Sequence, residues 1–283
     1  MSETETVQVG GISLPVTVSR RAGAPLMILT RMASKDMNIW DTIWNDVGRH
    51  FTVANFDLAN LVTPKSYDEP AAMFRQLAAA CAEVATGLGF ERFGVLGWNG
   101  GTQIAMRCAA DFPDRMTGCF LIDPFFELPD MRRVWKAVEI KRALYENPDR
   151  ELYVYYWVMA GFSDGFLNRN FDVIETMVRD RLAGDKFVRT DPEGFEKWVR
   201  ALRRNWITDE EFAQIRAQTV ILATGLDRWS SGPNVEMARE VAARIGGSVL
   251  EVIEGVGGHF LIEDPERFRK IALPHLARLA GGA

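Results

Sequence analysis

Five residues, Gly97-Trp98-Asn99-Gly100-Gly101, stand between an apolar run at 93–97 and a helical pattern at 102–112. A strand that turns straight into a helix presents the central residue at the strand's C-terminal end. Glycines at 97 and 101 suit a turn so tight that both neighbours must be small. The central backbone is pushed toward positive φ, which asparagine tolerates better than most residues. The helix that follows offers backbone N–H groups, from Gly100 onward, to a developing negative charge. Asn99 itself is no nucleophile, because a carboxamide has no lone pair useful for attack at neutral pH. No covalent acyl-enzyme is expected there. The residue can donate a hydrogen bond to a substrate oxygen. It can stand where a natural or engineered substitution removed a nucleophile. It can also simply keep the turn formed in a protein without turnover. Asn99-Gly100 is in addition a dipeptide prone to deamidation, which would create an aspartate.

Other reactive residues are few. The three histidines, His50, His259 and His275, are never three or four residues apart, which argues against a histidine-based metal site. No metal and no cofactor is expected. Cys81, Cys108 and Cys119 have no metal-like spacing and read as reduced core residues.

A turn of this kind needs a sheet to hold it. Thr6 to Leu14 reads as a hairpin about Gly10-Gly11. Strands are predicted at 26–30, 51–57, 93–97 and 116–123, with helices at 39–47, 69–88 and 102–112. This alternation implies a mostly parallel, doubly wound α/β sheet. It stops at Pro124. Helical patterns at 131–145, 150–161, 171–183 and 193–205 follow without strand signals. Strands at 219–224 and 248–253, with helices at 233–245 and 265–279, then restore it. The expected organisation is a core of residues 1–124 and 213–283, interrupted by a helical insertion at 125–212.

Composition fits one domain of this kind. The chain has 283 residues, 47% apolar and 25% charged, with a net charge of −5 and both signs interspersed. No basic block suggests nucleic acid. No apolar run approaches the ~18 residues of a membrane span. The acidic, polar start, Met1-Ser2-Glu3, is unlike a secretory signal. A cytoplasmic protein acting on a small molecule is expected, with a homodimer left open.

Taken in order, four segments resemble the α/β-hydrolase superfamily over nearly the whole chain. Gly97-Trp98-Asn99-Gly100-Gly101 is similar to its Gly-x-Ser-x-Gly nucleophile elbow, with asparagine at the nucleophile position. Residues 116–124 resemble the following strand. Gly225-Leu226-Asp227 resembles the strand–loop carrying the acid. Gly257-Gly258-His259-Phe260, followed by Glu263-Asp264-Pro265-Glu266, resembles the C-terminal histidine loop. By this resemblance His259 is the general base and Asp227 orients it, with Asp123 as the reserve acid. The resemblance also makes the insertion at 125–212 a lid. Its many aromatic residues, among them Phe125, Tyr153, Phe162 and Trp206, read mostly as packing and in part as an apolar pocket wall.

The chain departs from the family at three loops around one cleft. Thr30-Arg31-Met32 stands where His-Gly completes the usual oxyanion hole, Asn60-Leu61-Val62 stands in a usually glycine-rich stretch, and Asn99 fills the elbow. Such clustering favours a natural change of chemistry. Arg31 can meet a carboxylate, phosphate or enolate oxygen. Trp98, Gly100, Thr30 and Arg31 complete the candidate substrate and oxyanion surface. The expected function is an enzyme acting on a small apolar or aromatic carbonyl compound through the His259–Asp227 dyad, with Asn99 as an oxygen-binding donor. Its reaction is non-covalent hydrolysis, or lyase, cyclase or cofactor-free oxygenase chemistry. The competing readings are a serine or aspartate hydrolase disabled at 99 and a non-catalytic ligand-binding protein.

Overall fold

A computed structural model of the protein describes residues 2–31, 39–130, 132–147, 149–183, 200–201, 204, 206–226 and 234–281. Eight strands form one sheet: β1 (Glu3–Val9), β2 (Ile12–Ser19), β3 (Leu26–Arg31), β4 (Thr52–Phe56), β5 (Phe93–Trp98), β6 (Met116–Ile122), β7 (Thr219–Thr224) and β8 (Val249–Ile253). Their spatial order is β1-β2-β4-β3-β5-β6-β7-β8. β1 and β2 form the predicted hairpin, antiparallel, and β2 runs antiparallel to β4. All other pairings are parallel. Gly10 and Gly11, both at positive φ, make the two-residue turn whose twist matches that of the strands. The central strands β5 and β7 are buried along their whole length. That burial on both faces explains why they read in sequence as unbroken apolar runs rather than alternating ones.

Helices cover both faces. On one lie α2 (Pro70–Gly87) and α3 (Gly101–Asp111), and later Asn234–Arg244. On the other lie α1 (Trp44–Val47) and the long closing helix Pro265–Gly281. The helix expected over 39–47 is broken. A 3₁₀ turn, Ile39–Thr42, precedes α1. The Thr42 hydroxyl donates to the Ile39 carbonyl at 2.7 Å, the local side-chain bond by which threonine competes with helix continuation.

Between β6 and β7 the chain leaves the sheet for α4 (Arg132–Glu146), α5 (Arg150–Met159), α6 (Asp164–Arg169) and α7 (Phe171–Ala183). Three of these match the helices expected from sequence; α6 is additional. Its N-cap is Ser163, whose hydroxyl accepts from the Phe166 N–H. Of the helix expected over 193–205, residues 193–199, 202–203 and 205 fall outside the described residues. The insertion has its own small core of Val154, Val158, Phe162, Ile174 and Val178. Ile262 packs against both that core and the one under α1 and the closing helix. A short helix α8 (Asp209–Phe212) returns the chain to β7, followed by α9 (Asn234–Arg244), α10 (Phe260–Glu263) and α11 (Pro265–Gly281). Among the described residues no helix is long and apolar enough to cross a membrane.

Candidate active site

Strand order reverses at β3. The chain steps from β3 to β4 on one side and returns to β5 on the other. In open parallel sheets the crevice beyond the strands' C-terminal ends at such a point is where ligands bind. Thr30 and Arg31 end β3 there, in register with Gly97 and Trp98 at the end of β5, and Trp98 faces Ile122 on β6.

The elbow is formed as its glycines require. Asn99 sits at φ 50°, in the left-handed region. A Cβ on Gly97 would lie 2.5 Å from the Gly101 carbonyl oxygen, and one on Gly101 would lie 2.0 Å from that of Thr30. Both contacts are with backbone, which cannot move aside. The Asn99 N–H donates to Ile122 O at 2.9 Å. The Asn99 carbonyl accepts from the Thr102 N–H at 2.9 Å and the Thr102 hydroxyl at 2.5 Å. The backbone of Asn99 is therefore fully engaged. Its side chain is not: the carboxamide is buried, and neither its oxygen nor its nitrogen has a hydrogen-bond partner among the described residues. Such a group is costly to bury unsatisfied. Gly100 and Gly101 open α3, where the first N–H groups of a helix have no intrahelical acceptor.

His259 caps α10 and is 1% exposed. Its N–H donates to Gly161 O at 2.7 Å. Its ring lies between Trp98, with centroids 5.7 Å apart, and Phe162, at 5.0 Å. Arg31 completes this row, with Cζ 5.8 Å above the Trp98 ring. The fold thus brings Arg31, Trp98, Asn99 and His259 to one edge of the sheet. Thr30, expected on the substrate and oxyanion surface, is buried, and its side chain is engaged by the protein itself. Its hydroxyl donates to Gly101 O at 3.1 Å, holding β3 against the elbow.

Asp227 lies outside the described residues; the chain is described up to Leu226, whose N–H donates to Val256 O at 3.0 Å. Asp123, the reserve acid, follows β6 at φ 48°, the other non-glycine residue in the left-handed region. It is fully buried, and its carboxylate accepts from the Thr224 N–H at 2.7 Å and the Thr224 hydroxyl at 3.0 Å. It thereby ties the ends of β6 and β7 together. Among the described residues no cluster of His, Cys, Asp or Glu could hold a metal ion.

In sequence, Phe162 stood out only as one of the insertion's aromatic residues and Glu263 only as part of the histidine loop, while Gly161 and Ser163 had no role, although all four bear on His259. A Cβ on Gly161 would lie 1.9 Å from His259 Cδ2. The one local signal was Ser163-Asp164 as a helix start; the contact itself joins residues about a hundred positions apart.

The model of the Alpha/beta hydrolase family matches residues 36–271. No curated protein sequence matches significantly. Among solved structures the chain resembles the enol-lactonase from Burkholderia xenovorans LB400, at 17% identity over 96% of this chain and 99% of that one, with a TM-score of 0.70. It also resembles a thermophilic esterase from Thermogutta terrifontis, at 18% identity over 98% and 99%, TM-score 0.68. A third is MGS-M2, an alpha/beta hydrolase enzyme from a Medee basin deep-sea metagenome library, at 13% identity over 96% of each chain, TM-score 0.75. At such identities the likeness is one of fold.

Proposed function

The chain belongs to the α/β hydrolase family, and from that premise we propose that it is an enzyme of non-covalent carbonyl chemistry, with His259 as base and Asn99 as oxygen-binding donor. One observation carries this reading. The carboxamide of Asn99 is buried at the top of an intact elbow with no protein partner among the described residues. A substrate oxygen supplied there would accept from its N–H and from the N–H of Gly100, a pair of donors aimed where negative charge develops. His259 then takes a proton from a substrate O–H or C–H beside the carbonyl, and returns it later in the cycle. The same imidazole can instead deprotonate a water as it attacks the carbonyl carbon. Asp227 fixes its tautomer and balances the imidazolium. The helical insertion, residues 125–212, acts as the lid, and its aromatic residues favour a small apolar or aromatic substrate. The neighbours named an enol-lactonase and an esterase fall in the same carbonyl class.

The retained elbow geometry favours a second reading, a hydrolase disabled at position 99 alone. Parent, Asn99→Ser and His259→Ala proteins, assayed against aryl esters and a panel of phenolic and β-dicarbonyl compounds, separate the two. Turnover by the parent that disappears in His259→Ala supports the dyad. An inactive parent with an esterase-active Asn99→Ser variant supports the disabled hydrolase. Silence from all three proteins leaves ligand binding without turnover as the function.

A further inference from the structure

Glu263 lies one helical turn after His259, and its N–H donates to the His259 carbonyl at 3.0 Å. Its carboxylate gathers three donors, two from a segment a hundred residues away and one from the loop just before it. Oε2 accepts from the Ser163 N–H at 3.0 Å and from the Gly257 N–H at 3.1 Å, while Oε1 accepts a short hydrogen bond from the Ser163 hydroxyl. Ser163 belongs to the α5–α6 corner of the insertion, and Gly257 to the loop that carries His259. The two segments touch closely. A Cβ on Gly257 would lie 2.5 Å from the Gly161 carbonyl oxygen, the same oxygen that accepts from the His259 N–H. Phe162, fully buried, closes over the imidazole and stacks on Phe166. The serine hydroxyl that donates to Glu263 also accepts from the Phe166 N–H, so the clamp continues into α6.

We infer that Glu263 is a positioning residue, which fixes the ring of His259 by locking the insertion corner 161–163 to the loop 257–259. A carboxylate suits the task, since it only accepts, and every group aimed at it is a donor. An amide there would turn an N–H toward one of these donors. The ring would still be attached to the chain but no longer held from both sides, and a displacement of about 1 Å at a reacting group can cost about 100-fold in rate. For turnover this inference rests on His259 being the base; for geometry it does not.

The test is ring NMR on the full chain labelled at histidine, where only three histidines contribute and His259→Asn identifies the signal of interest. Glu263→Gln is compared with the parent and with Glu266→Gln, a change at an exposed carboxylate of the neighbouring helix. The expected result is a shifted and broadened His259 ring signal in Glu263→Gln alone, and a turnover number down by about 100-fold with KM little changed. Should that variant not fold, Ser163→Ala, which removes one donor of the clamp, is expected to move the same signal. An unaltered His259 signal in a folded Glu263→Gln or Ser163→Ala protein overturns the inference. If His259→Ala keeps full turnover, the base assignment fails instead, while the ring signal still decides the clamp.

Discussion

Two glycines contact chemistry-bearing parts of the protein in opposite ways. At Gly101 an added methyl meets the Thr30 carbonyl, a backbone atom inside the sheet. At Gly161 it meets the ring of His259, a side chain that can be displaced. Gly101→Ala should therefore cost stability, about 4 kcal/mol or more, read as a lowered urea midpoint. Gly161→Ala should shift the midpoint less and instead depress turnover by about 100-fold, through the displaced imidazole. Equal losses of stability in both variants would show that the corner at 161 is merely packing. The conformation of Asn99 was legible in sequence, because Gly97 and Gly101 leave only one kind of turn. The hydrogen bonds of Thr30 were not, because a threonine at a strand end can face either way.

The elbow helix α3 is tied to the segment that re-enters the sheet after the insertion. Arg107, with its side chain 1% exposed, donates to Asp111 at 3.1 Å and to Glu211 at 2.9 and 3.1 Å, and also to the Trp206 carbonyl. Glu211 also caps α8 through the Thr208 N–H and receives Arg75. The Arg107 hydrogen bond holds the Glu211 carboxyl at about 2, below its ordinary 4.5. The unfolded chain thus takes up this proton first as pH falls. The stabilisation from Glu211 is complete above about pH 4.5 and is lost progressively toward about pH 2. Urea midpoints measured across that window should fall less steeply in Glu211→Gln than in the parent. Elements with clear periodicity, such as α2 and α7, were readable from sequence. The broken helix at 39–47 was not, since its apolar spacing continues unbroken while a single threonine hydroxyl redirects the backbone. The six-residue α6 was too short to show a period and announced itself only by its serine cap.

At the scale of the molecule, two extensive apolar cores flank the sheet, whereas the insertion's separate core holds, among the described residues, only five buried side chains and a shared Ile262. Amide hydrogens of α4 and α5 should accordingly exchange well before those of β5 and β7, as hydrogen–deuterium exchange of the intact protein would show. Uniform protection throughout would mean that the insertion opens only with the whole fold. The sheet was legible because parallel strands buried on both faces write themselves as apolar runs. How the insertion meets the site was not, because no local pattern encodes a contact between Gly161 and His259. That contact bears on how such a protein can be recombined. An insertion between two strands looks like an exchangeable cassette, free to be traded for another to change substrate preference. Here a donor cassette would have to bring a residue without a side chain at 161 and a serine at 163, in register with an acceptor contributed by the recipient. Grafts that ignore this pairing should yield folded proteins with a misplaced imidazole, so the seam, more than the pocket wall, sets which swaps succeed.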